Sequence, residues 1–144
     1  MAATAFALYN EAKKYIGGAD LDLNGATFKL KLCTSASNAE TLTLSTFASV
    51  TSEISATGGY AANGKALADV VLTVGASAKQ YKFDATDLVF TASGAALNNI
   101  KYAVIGVSGG KALCWSKLTT SQFTLSTNNT LTIAFNTAGI FTLT

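Results

Sequence analysis

The sequence predicts an all-β domain preceded by one short helix, and three observations carry that prediction. Segments in which apolar and polar residues alternate recur along the chain, as in strands that bury one face. Glycine pairs at positions 17–18, 58–59 and 109–110 separate these segments, and glycine is suited to tight turns because it readily adopts a positive φ. The first sixteen residues contain no glycine, so they form a separate, helical segment.

The helix is predicted over residues 3–16, which are mostly good helix formers. Phe6, Tyr9 and Ile16 fall near one side of such a helix, with further apolar residues beside them. Thr4 is suited to cap the start of the helix, and Gly17-Gly18 is suited to end it. The helix and its stop are therefore placed in residues 1–18.

About eight strands are predicted after residue 25. Residues 27–34 (TFKLKLCT) alternate strictly, which predicts a half-buried strand with Phe28, Leu30 and Leu32 on the buried face. Residues 100–107 (IKYAVIGV) form a near-continuous apolar run, which predicts a central strand buried on both faces. The other predicted strands are residues 69–74, 80–83, 88–91, 111–118, 130–136 and 140–143.

Short strands with regular turn signals are typical of a jelly-roll or Greek-key-like β-sandwich. We find no composition break, so residues 1–144 are predicted to form a single domain with the sandwich in residues 26–144. Residues 35–64 are the least regular part, rich in Ser, Thr, Ala and Gly. They are expected to form a long loop excursion, and such loops often carry contacts.

The charge content is low, because charged residues make up 12% of the chain against the usual ~25%. This favours a chain that packs against other subunits over a monomer that relies on hydroxyl groups for solvation. The net charge is +2, and all ten basic residues are scattered lysines. Without arginine or a basic stripe, a nucleic-acid partner is not expected.

Histidine is absent, which excludes histidine-based catalytic triads and histidine metal ligands. The best metal pattern is Asp20, Asp22 and Asn24 followed by Gly25, which matches the opening of a calcium loop. The twelfth loop position, where a bidentate glutamate belongs, is Lys31. These three residues are therefore a weak calcium candidate that more simply solvates a loop, and no cofactor is predicted.

Other reactive side chains have ordinary structural interpretations. Asp84 and Asp87 flank a turn, where capping is a simpler role than a hydrolytic carboxylate pair. Cys33 and Cys114 are expected to be buried thiols, because a disulfide would need adjacent strands. Trp115 is expected in the core or an interface, although an exposed tryptophan could stack on a sugar. No enzyme activity is predicted.

Six segments resemble, in the same order, segments of a family of small virion proteins of tailed bacteriophages. They are LYNEAKKYI, DLDLNGATFKLKLCTS, EISATGGYAANGKAL, KFDATDLVFTA, IKYAVIGV and FNTAGIFTLT, and together they span nearly the whole chain. The sequence departs from the family pattern at Asn63-Gly64, where two glycines are expected. It also departs at Phe90, where tryptophan is expected, and at Gly106, where tyrosine is expected.

The resemblance implies a capsid decoration or cement protein that stabilises the phage head by non-covalent contacts. The implied partners are the major capsid protein or other virion proteins, and further copies of the chain, with a trimer as one form. A tail, neck or fibre protein is the nearest alternative, and a carbohydrate- or surface-binding jelly-roll module is another. The first residues lack the pattern of a signal peptide, and no apolar run is long enough to span a membrane. Synthesis in the bacterial cytoplasm and a place on the head exterior are therefore expected.

The contacts are predicted to lie in the two segments outside the regular β pattern, the N-terminal helix and the excursion at residues 35–64. Aromatic side chains are the usual anchors of protein interfaces. The predicted contact residues are Phe6, Tyr9, Tyr15, Phe47 and Tyr60.

Overall fold

The computed structural model describes residues 5–144 and is mostly β, with antiparallel sheets and one short helix, as in an all-β sandwich. This confirms the predicted fold class. The helix is α1 (Asn10–Gly17), and a 3-10 turn lies at Phe47–Ser49. The described strands are β1 (Ala7–Leu8), β2 (Phe28–Cys33), β3 (Lys65–Ala66), β4 (Val71–Val74), β5 (Tyr81–Asp84), β6 (Leu88–Thr91), β7 (Leu97–Ile100), β8 (Tyr102–Val107), β9 (Ala112–Lys117), β10 (Phe123–Leu125), β11 (Thr130–Ile133) and β12 (Phe141–Leu143).

The largest sheet has five antiparallel strands in the order β1-β9-β8-β2-β3. The hairpin from β8 to β9 turns at Gly109-Gly110, as predicted, and Gly109 has a φ of 72° that suits glycine. Strand β2 buries Phe28, Leu30 and Leu32 completely. The predicted inward face of this strand is therefore confirmed.

The other strands form a three-stranded sheet in the order β12-β5-β4, which packs on the large sheet as a second layer, and two separate two-stranded ladders, β10-β7 and β11-β6. Aromatic rings join the two layers. Phe28 packs edge-on against Phe83 with 5.1 Å between ring centroids, and Phe83 stacks on Phe141 at 5.0 Å. Such pairs add to the stability from burial alone. The main core therefore lies between the Phe28 face of the large sheet and the three-stranded sheet.

The excursion at residues 35–64 covers the opposite face of the large sheet. Lys31 and Cys33, which alternate with the core residues of β2, are 3% and 0% exposed. The Lys31 Nζ donates a hydrogen bond to the Phe47 carbonyl at 3.0 Å, and Cys33 forms a β-bridge with Glu53. The prediction that β2 is only half-buried is therefore wrong, because the excursion forms a third layer.

The helix begins later than predicted. Residues 3 and 4, including the proposed cap Thr4, lie outside the described residues. Ala7 and Leu8 pair with Trp115 and Cys114 as strand β1, so the pairing with β9 overrides their helix propensity. The helix starts at Asn10 after the extended residue Tyr9, and it ends at Gly17 as predicted.

The strand predicted over residues 100–107 is two strands. Asn99 adopts a left-handed φ of 62°, which ends the regular path of β7 near Ile100. Lys101 lies between the strands, where its N–H donates to the Cys33 carbonyl at 2.9 Å. Strand β8 then begins at Tyr102 and is buried on both faces through Gly106, as predicted for the central strand.

Candidate interaction surfaces

Four of the five predicted contact residues are core residues in the described chain. Phe6, Tyr9, Phe47 and Tyr60 are all buried. The Tyr9 hydroxyl donates to the Ala39 carbonyl at 2.7 Å, and burial raises its pKa well above its ordinary value. These rings hold the N-terminal segment and the excursion against the sheet. A partner would meet the surface that they support rather than the rings themselves.

Tyr60 fastens the excursion to the centre of strand β2. Its hydroxyl donates to the Glu53 Oε1 at 2.7 Å and accepts a hydrogen bond from the Leu32 N–H at 3.0 Å. Burial raises the Tyr60 pKa far above its ordinary value, and the hydrogen bond to Glu53 acts in the same direction. The phenol therefore stays neutral, and its role is to satisfy a backbone donor that Glu53 does not reach.

Tyr15 is the fifth predicted contact residue and is only partly buried. It lies on the helix, where it packs against the edge of the core. The Nζ of Lys111 lies 4.0 Å from the centroid of its ring, a cation–π distance. Tyr15 is therefore partly accessible, and one face of its ring is already in contact with a cation.

A groove of about 700 Å³ brings the two predicted contact segments together. One wall comes from residues 5–8 with Asn10 and Lys13, and the other comes from residues 134–142 around β12. Leu42 of the excursion stands at the rim and is 47% exposed. Its carbonyl accepts a hydrogen bond from the Asn10 N–H at 2.9 Å, which ties the excursion to the start of the helix.

The groove lies between two sheets at the edge of each. Strand β1 is the edge of the five-stranded sheet, and β12 is the edge of the three-stranded sheet. Phe6 and Phe135 approach across it with 5.7 Å between ring centroids. The groove is mainly apolar, and Lys13 is its one charged side chain among the described residues. Its place between two strand edges could not be read from the sequence, because β1 was assigned to the helix.

A second apolar surface lies at the far edge of the three-stranded sheet. Strand β4 is that edge, and its residues Val71 and Val74 are 46% and 53% exposed. Tyr81, the neighbour of Val74 on β5, is 50% exposed. Exposed apolar residues along a strand edge form a template for pairing with another chain.

The weak calcium candidate is a loop stabilised by its own side chains. The Asp22 Oδ1 accepts a hydrogen bond from the Asn24 N–H at 2.9 Å, as in an Asx turn. Asp20 is exposed in the preceding turn. Within residues 5–144, no group of three or more His, Cys, Asp or Glu side chains is placed to hold a metal ion.

The two cysteines are free, buried, and on opposite faces of the large sheet. Cys33 pairs with Tyr102 on β8, whereas Cys114 pairs with Ile105 on the same strand. Positions 102 and 105 differ by an odd number, so their side chains point to opposite faces. A disulfide between them is geometrically excluded in this fold. Burial raises the pKa of both thiols, that of Cys33 to about 12.

The remaining candidates have structural roles. The Asp87 Oδ1 accepts a hydrogen bond from the Phe135 N–H at 2.9 Å, and the Asp84 Oδ1 accepts one from the Ala85 N–H at 2.9 Å. Both acids therefore hold backbone, as the turn-capping interpretation predicts. Trp115 is partly buried and packs edge-on against Tyr102, with centroids 6.4 Å apart. Its ring packs against the core, and its Nε1 is buried with no hydrogen-bond partner within residues 5–144.

Two of the three positions where the sequence differs from the family that it resembles have local structural explanations. Asn63 and Gly64 both have positive φ, 69° and 79°, and asparagine tolerates this region better than most residues. Gly64 lies so close to the Leu30 carbonyl that no side chain fits there. Gly106 lies under the ring of Phe47.

No helix within residues 5–144 is long and apolar enough to cross a membrane. Comparison with protein-family models, with curated proteins and with solved structures gives no match to this chain.

Proposed function

We propose that this chain is a structural protein of a tailed-phage particle, a decoration protein that stabilises the head by non-covalent contacts. The observation that carries the proposal is the groove between β1 and β12, where the N-terminal segment and the excursion meet. The six segments that resemble the phage family, in the same order, are the reason for placing the protein on a phage particle. The proposal assigns no catalytic residue, because a decoration protein stabilises the head through its binding contacts and needs no reactive group.

The groove suits a loop or extended segment of a capsid subunit. Its walls end in two strand edges, and an extended segment can bind such an edge through backbone hydrogen bonds. Exposed Leu42 and the partly buried ring of Phe135, which packs against the buried ring of Phe6, supply an apolar contact. Since Lys13 is the one charge on the described groove wall, binding should change little between low and high salt.

A weak contact at each groove is sufficient in this setting. A capsid presents many identical sites, so neighbouring copies bound to one shell reinforce each other without any new contact type. The low charge content of the chain reduces the cost of removing its surface from water. Stabilisation of the head follows if one copy bridges two capsid subunits.

The location of the protein on the particle tests this proposal. Antibodies against the recombinant chain would be applied to intact particles of the phage that encodes it and located by gold-label electron microscopy. Uniform label over the head is the expected result. Label restricted to the tail or neck would overturn the decoration role in favour of another structural role, and unlabelled particles would overturn the virion proposal.

A further inference from the structure

Strand β4 is an uncharged, exposed edge that the rest of the described chain does not pair. Its only strand neighbour among residues 5–144 is β5, and the sequence Val71-Leu72-Thr73-Val74 contains no charged residue. Natural edge strands usually carry lysine, proline or a bulge that prevents pairing with a second chain. Residues 71–74 contain neither lysine nor proline, and their continuous register with β5 shows that they contain no bulge.

The pairing with β5 fixes which backbone groups of β4 point outward. The Gly75 N–H donates to the Gln80 carbonyl at 2.7 Å, so Gly75 directs its backbone toward the neighbouring strand. Alternate residues of an antiparallel strand bond to the same neighbour. Thr73 and Val71 therefore also face β5, whereas Leu72 and Val74 direct their N–H and C=O groups outward, away from the sheet.

We propose that β4 pairs with β4 of a second copy, antiparallel and about a two-fold axis at Thr73. In this register Leu72 lies opposite Val74 of the second copy, and each Thr73 lies opposite the other Thr73. The outward N–H and C=O groups of the two residues then bond to each other in four hydrogen bonds. The two three-stranded sheets become one continuous six-stranded sheet, the arrangement of a self-complementary dimer.

The side chains of the edge match this register. Val74 and Tyr81 lie side by side on one face, and the dimer places Leu72 of the second copy next to Val74. Tyr81, Val74 and Leu72 of the second copy then form one apolar row across the dimer interface, and the two-fold axis repeats this row. Cross-strand apolar pairs of this kind are the stabilising unit of a sheet.

The charges at the two ends of β4 are complementary. Asp69 precedes the strand, and Lys79 lies in the turn that follows it, with both residues exposed. The antiparallel arrangement brings the Asp69 end of one copy to the Lys79 turn of the other, twice by symmetry. Lys82 on β5 is also near this edge, but its Nζ lies 3.3 Å from the Asp84 Oδ2. Its charge is therefore already balanced and does not repel the lysines of the second copy. Charge placement therefore favours the antiparallel dimer over a parallel one.

The interface is short, so the dimer is weak and depends on concentration. Four residues from each copy bury less surface than a standard stable interface. The β4 edge lies at the opposite side of the three-stranded sheet from β12 and the groove. The dimer therefore leaves the groove free, and the inference does not depend on the proposed function.

Cysteine cross-linking tests the pairing and its register. In the proposed dimer the Cα atoms of the two Thr73 residues lie about 4.5 Å apart, as in a non-hydrogen-bonded pair, within the range of a disulfide. Thr73→Cys should give a disulfide-linked dimer under mild oxidation. Val71→Cys is the matched control, because it is exposed on the same face but lies about 14 Å from its symmetry mate, four residues away at ~3.4 Å per residue. Cys33 and Cys114 are buried and should not react.

Sedimentation of chains without added cysteine provides a second measurement. The wild-type mass should rise toward that of a dimer as the concentration approaches the millimolar range. Val74→Lys should weaken dimerisation roughly tenfold or more, because it brings charge to an apolar edge. Val89→Lys is the control, because Val89 is 40% exposed on β6, away from this edge. Equal cross-linking of both cysteine variants would overturn the register, and a monomeric wild type with no Thr73→Cys cross-link would overturn the dimer.

Discussion

The ring of Phe47 occupies the space where the side chain of residue 106 would otherwise lie. A Cβ built on Gly106 would stand 2.8 Å from the Phe47 Cγ and 2.9 Å from the Lys111 carbonyl oxygen. Phe47 belongs to the excursion, and Gly106 belongs to the central strand β8. The missing side chain on β8 therefore allows the excursion to lie directly on the sheet.

Gly106→Ala should lower the free energy of unfolding by about 1–3 kcal/mol, the usual cost of overpacking a filled core. The added methyl group would push Phe47 away and loosen the excursion. Urea denaturation followed by Trp115 fluorescence measures the change. Gly17→Ala is the control, because a Cβ there meets no atom within 4 Å. An equal effect of both substitutions would contradict the role assigned to the Phe47 ring.

Tyr60→Phe should destabilise the fold by about 1–3 kcal/mol, because the buried Leu32 N–H loses its hydrogen-bond acceptor. The same change also frees the Glu53 carboxylate from its 2.7 Å hydrogen bond. Tyr81→Phe provides the matched control at a half-exposed ring. Thermal or urea unfolding measures both variants, and the free energy of unfolding should fall for Tyr60→Phe and stay close to the wild-type value for Tyr81→Phe. Equal stability of Tyr60→Phe and the wild type would show that water replaces the phenol.

The fold should lose stability in alkaline solution because its buried thiols and phenols resist ionisation. Burial raises the pKa of Cys33 from 9.0 to about 12, and it raises the pKa values of Tyr9, Tyr60 and Cys114 in the same direction. The unfolded chain releases the Cys33 proton near pH 9, whereas the folded chain keeps it until about pH 12. The stabilisation is therefore complete below pH 9 and is lost as the pH rises toward 12.

Urea titrations at a series of pH values measure this alkaline loss. The free energy of unfolding should fall steadily above about pH 9. Cys33→Ala should make that fall less steep, by about one proton's contribution to the slope. A free energy that stays constant from about pH 8 to about pH 11 would contradict the burial of these groups.

Leu42→Glu should weaken binding to phage heads that lack the protein while leaving the chain folded. Leu42 is half-exposed at the groove rim, so a carboxylate there costs little in the free chain but would be buried by the partner. We expect a loss of affinity of roughly tenfold or more. Co-sedimentation with heads measures binding, and Val89→Glu serves as the control at another exposed apolar residue, away from the groove. Unchanged binding by Leu42→Glu would remove the groove from the contact surface.

The alternation of apolar residues was sufficient to predict most strands. The pattern in β2 and in β11 follows local side-chain periodicity, and Phe28, Leu30, Leu131 and Ile133 are buried as expected. Strand β10, Phe123–Leu125, was missed because a three-residue strand among Ser and Thr has too little periodicity. Its existence depends on pairing with β7, a contact that no local pattern encodes.

The aromatic residues were identified as important, but the sequence could not show where they point. Helical spacing grouped Phe6 with Tyr9, whereas Tyr9 follows strand β1 and bonds to Ala39 of the excursion. The groove and the β4 edge both arise from which strands end each sheet, a property of the topology. The charge content pointed to association, but only the strand order shows which surfaces are available for it.

The pairing of β1 with β9 has a consequence for how the newly made chain folds. Ala7 emerges from the ribosome first, yet its partner Trp115 is synthesised roughly a hundred residues later. The large sheet therefore cannot close until β9 has left the ribosome, because β1 has no edge to join before then. We expect β1 to dock after β8 and β9 have paired, so the groove that it borders with β12 forms late in folding.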